Sequence, residues 1–148
     1  MKIVISNDHA AIPFKEEISA HLKTQPNVQV TDFGATEKDG IDYPDYAVKT
    51  AKAITAGEFD MGILLCGTGA GMSITANKVH GIRAVVCSDP YTAKLSRQHN
   101  NANILCIGAR VVGAELAKDI VDAFLSSEFM GGRHQTRVDK IMAVESAN

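Results

Sequence analysis

Short apolar runs rich in β-branched residues alternate along this chain with longer segments whose apolar residues recur at helical spacing. The runs predict strands at residues 2–6, 28–33, 61–66, 82–87 and 104–107. The helical segments lie at residues 12–24, 44–56, 72–79, 90–99, 114–125 and 135–146. Each predicted strand is followed by a helix, an order typical of a parallel sheet with helices on both faces and right-handed crossovers.

Proline and polar residues mark the starts of several predicted helices. Pro13 and Pro44 stand near first helical positions, where the missing N–H costs nothing. Ser88-Asp89-Pro90 supplies an N-cap and a first-turn proline for the fourth helix. Residues 34–43 are polar and predict a loop between the second strand and the second helix.

The composition is that of one folded domain over residues 1–148, with 45% hydrophobic and 22% charged residues. A formal net charge of −2 gives no general attraction for nucleic acid or an anionic membrane. The longest apolar run, Met61–Cys66, is too short to cross a bilayer, and the first residues lack a signal-peptide core. Three cysteines without a Cys-x-x-Cys pair indicate neither a disulfide framework nor a zinc site. We therefore predict a cytoplasmic single-domain protein.

Ligands of open parallel sheets bind outside the carboxyl ends of the strands. Here those ends bring a carboxylate, an imidazole, a thiol, a hydroxyl and a guanidinium toward one crevice. The segments are Asn7-Asp8-His9, Asp32-Phe33-Gly34, Cys66-Gly67-Thr68, Cys87-Ser88-Asp89 and Gly108-Ala109-Arg110. We expect a polar site at this edge, although polar loop residues also occur there by chance.

The segment Gly67-Thr68-Gly69-Ala70-Gly71 joins the third strand to the next helix. Its three glycines let the backbone turn tightly and direct N–H groups at an anion. A dinucleotide fingerprint needs a glycine where Met72 stands, although Asp89 suits the ribose-binding acid of that pattern. A P-loop needs a lysine directly after a glycine of the loop, and neither Gly67 nor Gly71 is followed by lysine. The segment therefore predicts an anion or oxyanion cradle of another kind, with a purely structural turn as the alternative.

Cys66 directly precedes this glycine loop, where amide groups and the dipole of the next helix stabilise a thiolate. Its thiol is a candidate nucleophile or a base toward carbon. The alternative is a buried strand cysteine that packs as a small hydrophobic residue. Cys106, inside the fifth strand, and Cys87, at a strand end, fit that structural interpretation better.

His99 and Asn100 close the fourth helix. A helix that follows a parallel strand runs back, so both residues are expected far from Cys66 of their own chain. A functional His99 then requires a second subunit to bring it into the crevice. A surface histidine that stabilises a helix C-terminus is the alternative, and the residues alone leave both interpretations open.

Arg133 and Arg137 are four residues apart, and hence share one face if the last helix has begun by then. Two cations near a helix N-terminus oppose the helix dipole unless an anion lies between them. Gly131-Gly132 would let the chain approach such a ligand closely. A solvated basic face is the alternative. His134 fits either interpretation.

Several motifs occur together and in order along essentially the whole chain. They are Asp8-His9, Tyr43-Pro44, Cys66-Gly67-Thr68-Gly69-Ala70-Gly71, Arg97-Gln98-His99-Asn100, Gly108-Ala109-Arg110 and Gly131-Gly132-Arg133-His134-Gln135-Thr136-Arg137. Together they resemble type B ribose-5-phosphate isomerase, in a family that also includes allose- and galactose-6-phosphate isomerases. The resemblance implies a three-layer α/β/α Rossmann-like fold, with a parallel sheet of strand order 2-1-3-5-4 and an extra C-terminal helix. It also implies an aldose–ketose isomerase that forms a homodimer or a tetramer and uses no metal and no organic cofactor.

The same resemblance assigns a role to each matching residue. Cys66 matches the base that moves a proton between C2 and C1 through an enediolate. Thr68 and the amides of residues 67–71 match the groups that stabilise the enediolate oxygens, and Asp8 matches the residue that moves protons between O1 and O2. His99, from the neighbouring subunit, matches the acid/base that opens the furanose ring. The remaining matches are the phosphate ligands His9, Arg133 and Arg137, their pocket neighbours Arg110 and Asn100, and Tyr43 beside the sugar.

The leading hypothesis is therefore the interconversion of ribose 5-phosphate and ribulose 5-phosphate. The same chemistry on a six-carbon sugar phosphate is the nearest alternative. A non-catalytic module that binds a sugar phosphate or nucleotide is a further one, although simple anion binding needs neither Cys66 nor His99. The sequence leaves open the preferred sugar, the number of subunits, and which subunit supplies Arg110, Arg133 and Arg137.

Overall fold

The computed structural model describes residues 1–37 and 40–147. In this part of the chain the strands are β1 (Lys2–Asn7), β2 (Gln29–Asp32), β3 (Met61–Cys66), β4 (Ala84–Val86) and β5 (Ile104–Gly108). The helices are α1 (Ile12–Lys23), α2 (Tyr43–Thr55), α3 (Ala70–Ala76), α4 (Pro90–Asn100), α5 (Ala114–Leu125) and α6 (Arg133–Ser146). A short 3-10 turn, His9–Ala11, precedes α1.

All strand pairs are parallel, and the sheet order is β2-β1-β3-β5-β4, which confirms the predicted topology. Alternate residues of the central strands enter two separate apolar cores. On one face Ile3 and Ile5 pack with residues of α1, α4 and α5. On the other face Val4 packs with residues of α2 and α3. The three-layer arrangement is therefore confirmed, with α6 as the additional C-terminal helix.

The central strands explain the continuous apolar runs of the sequence. Every residue of β3 is buried, as is every residue of β5. Strands that are covered by helices on both faces lose the polar alternation of half-exposed strands. No helix within residues 1–37 and 40–147 is long and apolar enough to cross a membrane.

The segment between α3 and β4 differs from the prediction, because α3 ends earlier and β4 begins later than expected. Side-chain amides take over the backbone groups there. Asn77 accepts a hydrogen bond from the Ala84 N–H at 2.8 Å and donates one to the Ala84 carbonyl at 2.9 Å. Asn103 Oδ1 accepts from the Arg83 N–H at 2.8 Å. These bonds hold a turn where the apolar pattern predicted helix and strand.

Other boundaries shift by a residue or two. Helix α6 begins at Arg133 rather than at residue 135, directly after Gly132 with φ +54°. Helix α2 begins at Tyr43. The predicted polar loop over residues 34–43 includes residues 38 and 39, which lie outside the described part of the chain.

Two glycines let the loop between β3 and α3 lie directly on β5. A Cβ at Gly108 would lie 2.7 Å from the Thr68 carbonyl carbon and 2.8 Å from the Thr68 Cα. Gly69 has φ +82°, and a Cβ there would lie 3.2 Å from the Ile107 carbonyl carbon. Both positions therefore require glycine, the first because backbone meets backbone and the second also because of its left-handed conformation.

We expect Gly108→Ala to lower the free energy of unfolding by about 1–3 kcal/mol, because the added methyl group overpacks a backbone contact that cannot yield. Thermal and urea unfolding would measure the loss. Gly113→Ala is the matched control, since a Cβ there meets no atom within 4 Å. Equal stability of the two variants would contradict this account of the close approach.

Candidate active site

The carboxyl ends of β1, β3 and β5 meet at one edge, as predicted. In the sheet register Leu65 pairs with Asn7, and Cys66 pairs with Gly108. Backbone hydrogen bonds extend this pairing past the strands. The Asp8 N–H donates to the Leu65 carbonyl at 3.1 Å, and the Arg110 N–H donates to the Gly67 carbonyl at 3.0 Å. Asp8, Cys66, the glycine loop and Arg110 thus form one group on one chain.

The Cys66 thiol is held by the loop that follows it. Cys66 is the last residue of β3 and is 5% exposed. The Gly69 N–H donates a hydrogen bond to Sγ at 3.1 Å. Gly69 is also the N-cap of α3, so its amide sits at the positive end of that helix. A donated amide hydrogen at this place stabilises sulfur in its anionic form.

The other two cysteines have a different environment. All three are free and buried. Burial, followed by the charge of Asp89, raises the pKa of Cys87 to about 11. Burial also raises the pKa of Cys106, and nearby Cys66 adds to the effect. Both remain neutral thiols near pH 7, which agrees with their predicted structural role.

Thr68 and Tyr43 border the glycine loop on its exposed side. Thr68 is exposed, and its Oγ1 accepts a hydrogen bond from the Ala70 N–H at 3.2 Å. This bond uses an oxygen lone pair and leaves the hydroxyl hydrogen available to another acceptor. The Tyr43 ring lies directly against Gly71, where a Cβ would approach it to 2.7 Å. Tyr43 itself is 42% exposed.

Asp8, His9 and Arg110 complete the group. Asp8 is 5% exposed, and its Oδ1 accepts a hydrogen bond from the Ala10 N–H at 2.9 Å, which caps the 3-10 turn. His9 opens that turn and is exposed. The Arg110 side chain lies over Gly67, with Nη1 3.4 Å from the position of a Cβ there. A carboxylate, an imidazole and a guanidinium therefore lie at the same edge of the sheet as the thiol.

His99 and Asn100 lie at the opposite edge of the sheet from Cys66 of the same chain. The Arg83 Nε donates to the Asn100 carbonyl at 3.2 Å, which places the end of α4 beside the start of β4. The register sets Ala84 level with Ile104, four residues before the level of Cys66 and Gly108. The level of Ala84 is therefore roughly 13 Å from the level of Cys66 along the strands, and β4 lies about 10 Å from β3 across them.

Arg133 and Arg137 belong to the same opposite edge. Both are exposed on the first turns of α6, which packs against α4. Between them His134 is 5% exposed, and its ring stacks on the His99 ring with centroids 4.2 Å apart and planes 8° apart. Burial, then His99 and the two arginines, lowers the pKa of His134. His99, Asn100, Arg133, His134 and Arg137 thus form a second group.

The stacked histidine pair is a feature that the sequence did not reveal. His99 and His134 lie on different helices, and no periodicity links residues so far apart. The only sequence signal was the placement of His134 between two arginines. The predicted separation of His99 from Cys66 is nevertheless confirmed, because it followed from strand direction alone.

Asp89 caps helix α4, which explains its presence without the ribose-binding role that the dinucleotide pattern suggested. Its Oδ1 accepts from the Thr92 N–H at 2.7 Å, and its Oδ2 accepts from the Thr92 hydroxyl at 2.8 Å. These bonds lower the pKa of Asp89 and make it the N-cap of α4. Within residues 1–37 and 40–147, no three His, Cys, Asp or Glu side chains are grouped as a metal site would require.

Comparison with known proteins gives the chain its family. The family model described as Ribose/Galactose Isomerase matches residues 3–141. Ribose-5-phosphate isomerase B of Escherichia coli is 56% identical over 144 residues, which cover 97% of this chain and 96% of that protein.

Solved structures agree with these sequence matches. The ribose-5-phosphate isomerase B of Clostridium thermocellum superposes with a TM-score of 0.96 and 53% identity, over 99% of both chains. The Mycoplasma genitalium enzyme, solved with bound ribulose-5-phosphate, has a TM-score of 0.92 and 44% identity over 99% of this chain and 97% of that one. With a matching family model over nearly its whole length, this chain belongs to the ribose/galactose isomerase family.

Proposed function

We propose that this chain interconverts ribose 5-phosphate and ribulose 5-phosphate, with Cys66 as the base. The observation that carries the proposal is the Gly69 N–H bonded to the Cys66 sulfur at 3.1 Å, at the edge where Asp8 and Arg110 also lie. Aldose–ketose isomerisation needs a base beside an oxyanion site, and this edge offers both. The relative from Escherichia coli, which carries that activity in its name, supports the choice of sugar.

In the proposed reaction the Cys66 thiolate removes the proton from C2 of the open-chain aldose. The electron pair moves into an enediolate, and the proton returns to C1 to give the ketose. Asp8 carries the accompanying proton from O2 to O1: its Oδ1 is held by the Ala10 amide, so Oδ2 is the oxygen left to exchange the proton. No electron leaves the sugar, so the step needs no redox partner.

Different hydrogen-bond donors of the glycine loop serve the Cys66 sulfur and the sugar. The Gly69 amide serves the sulfur, whereas Thr68 receives a hydrogen bond from Ala70 and has its hydroxyl hydrogen to donate to an enediolate oxygen. Loss of one such donor typically costs about 10²–10³-fold in rate. The amides of Gly67 and Gly71 are the further candidates for the same oxyanion.

The second group must come from another copy of the chain. A five-carbon sugar phosphate is shorter than about 10 Å at ordinary bond lengths, so it cannot reach both edges of one sheet. We propose a homodimer in which His99 and Asn100 of one subunit complete the Cys66 site of the other. Arg133 and Arg137 then arrive with His99, while Arg110 and His9 belong to the Cys66 subunit.

The proposed phosphate site combines charge from both subunits. Arg133 and Arg137 on one face of α6, together with His9 and Arg110, match the charge of a dianionic phosphate. Binding of the phosphate, away from the reacting carbons, fixes C1 and C2 beside the thiolate. The three free cysteines suit a reducing compartment, and we place the enzyme in the cytoplasm.

We expect Cys66→Ala to lower kcat for ribose 5-phosphate by at least about 10²–10⁴-fold, since the general base is lost. Wild-type turnover should survive EDTA. Cys87→Ala is the matched control, because it removes a buried thiol with a raised pKa outside the proposed site. Turnover of the Cys66→Ala variant within tenfold of wild type would point to another base, or to a binding module.

Mixing two inactive variants tests the shared site. Cys66→Ala and His99→Ala are each expected to be inactive alone. A mixed dimer combines one intact site with one doubly defective site, so random reassociation should restore about a quarter of wild-type activity. Co-expression with two different affinity tags would isolate the mixed species. No recovery in a verified mixed dimer would contradict the proposal that the subunits share a site.

The substrate is tested by comparing ribose 5-phosphate with allose 6-phosphate and galactose 6-phosphate under identical conditions. The family description names galactose beside ribose, which keeps six-carbon sugars as the second candidate class. We expect the highest kcat/KM for ribose 5-phosphate. Preference for a hexose phosphate would keep the mechanism and change the substrate, whereas turnover of none would contradict the isomerase proposal.

A further inference from the structure

The stacked pair of histidines holds the proposed ring-opening residue against a second imidazole. The His99 and His134 rings are almost parallel, with an interplanar angle of 8° and centroids 4.2 Å apart. His99 is half-buried, whereas His134 is 5% exposed. One face of the His99 ring is therefore covered by a buried side chain, while the ring still reaches the surface.

His134 is fixed by the way α6 is attached to the rest of the chain. The Met130 N–H donates to the Gln98 carbonyl at 3.0 Å, which ties the segment before α6 to α4. Farther along α6, Val138 is buried, and the Glu145 carboxylate accepts from the Gly81 N–H at 3.0 Å. The His134 ring is thus part of a docked helix and not of a free tail.

The charges around the pair favour a neutral His134. Burial and the neighbouring charges of His99, Arg133 and Arg137 lower the pKa of His134. Arg97 lies on α4 as well, but its guanidinium donates inward to the Asn101 side chain and the Ala102 carbonyl. A neutral His134 ring can stack on His99 whether His99 is neutral or protonated, and it adds no further positive charge beside His99.

We propose that His134 is a positioning residue for ring opening: its stacked ring holds the His99 imidazole in the orientation that exchanges a proton with the furanose. The inference rests on the proposed function, in which His99 enters the neighbouring subunit's site. During ring opening the C1–O4 bond breaks, O4 gains a proton and the O1 hydroxyl loses one. That transfer depends on the angle of the imidazole, and a small error in placement can cost about 10²-fold.

The test separates ring opening from the later proton transfer. Ribulose 5-phosphate cannot close a furanose through its phosphorylated C5, so solvent deuterium enters its C1 through the Cys66 step alone. Ribose 5-phosphate must open first. The experiment compares kcat for ribose 5-phosphate with deuterium incorporation at C1 of ribulose 5-phosphate, followed by NMR. A second readout is the isotope effect on kcat/KM from deuterium at C2 of ribose 5-phosphate.

For His134→Ala we expect kcat for ribose 5-phosphate to fall by about tenfold or more, with C1 exchange within about twofold of wild type. The isotope effect should move toward one, because slower ring opening masks cleavage of the C2–H bond. His134→Phe keeps a flat ring that can stack, and should recover most of the turnover. His21→Ala is the control for loss of a partly buried histidine, since His21 bonds to Asp122 on another face.

Three results would overturn the inference. The first is wild-type turnover in the His134→Ala variant. The second is exchange that falls in step with turnover at an unchanged isotope effect, which indicates that His134 supports the fold of the chain and has no separate effect on ring opening. The third is rescue by His134→Gln but not by His134→Phe, which indicates a hydrogen bond instead of stacking. Failure of the proposed function is distinguishable, because wild type would then turn over neither sugar.

Discussion

The contact between the glycine loop and the end of β5 is the constraint on which the Cys66 site depends. Gly108 lets the Thr68 backbone lie against the strand, and Gly69 turns the chain with φ +82°. Only then does the Gly69 amide reach the Cys66 sulfur. The loop thus acts first on the thiol, because it places a backbone donor 3.1 Å from the sulfur.

The direction of the parallel strands divides the chemistry between two places. Strand ends bring Asp8, Cys66 and Arg110 together, while the return of α4 carries His99 to the opposite edge. A single chain therefore presents two groups of polar residues at opposite edges of the sheet. Under the proposed function, association of two chains brings the Cys66 group of one chain, which removes the proton, beside the His99 group of the other, which opens the ring. Catalysis then depends on the assembly.

Helix α6 holds the residues of the second group in place around His99. Its attachments to α4 and to the turn at Gly81 fix the position of Arg133, His134 and Arg137 relative to His99. The arginines remain exposed, and the histidine is buried between them. One helix therefore carries both exposed positive charge and a buried ring that stacks on His99.

The sequence by itself determined the sheet, most helix positions and the Cys66 group, because periodicity and strand direction are local properties that fix where strand ends meet. The strand order and the proposed residue roles followed from motifs shared with a family. Only the tertiary structure decided that β4 is short, that the Gly69 amide serves the sulfur, and that His134 stacks on His99. Each of these rests on side chains or backbone groups far apart in the chain, whose contact is set by packing and leaves no local pattern in the sequence.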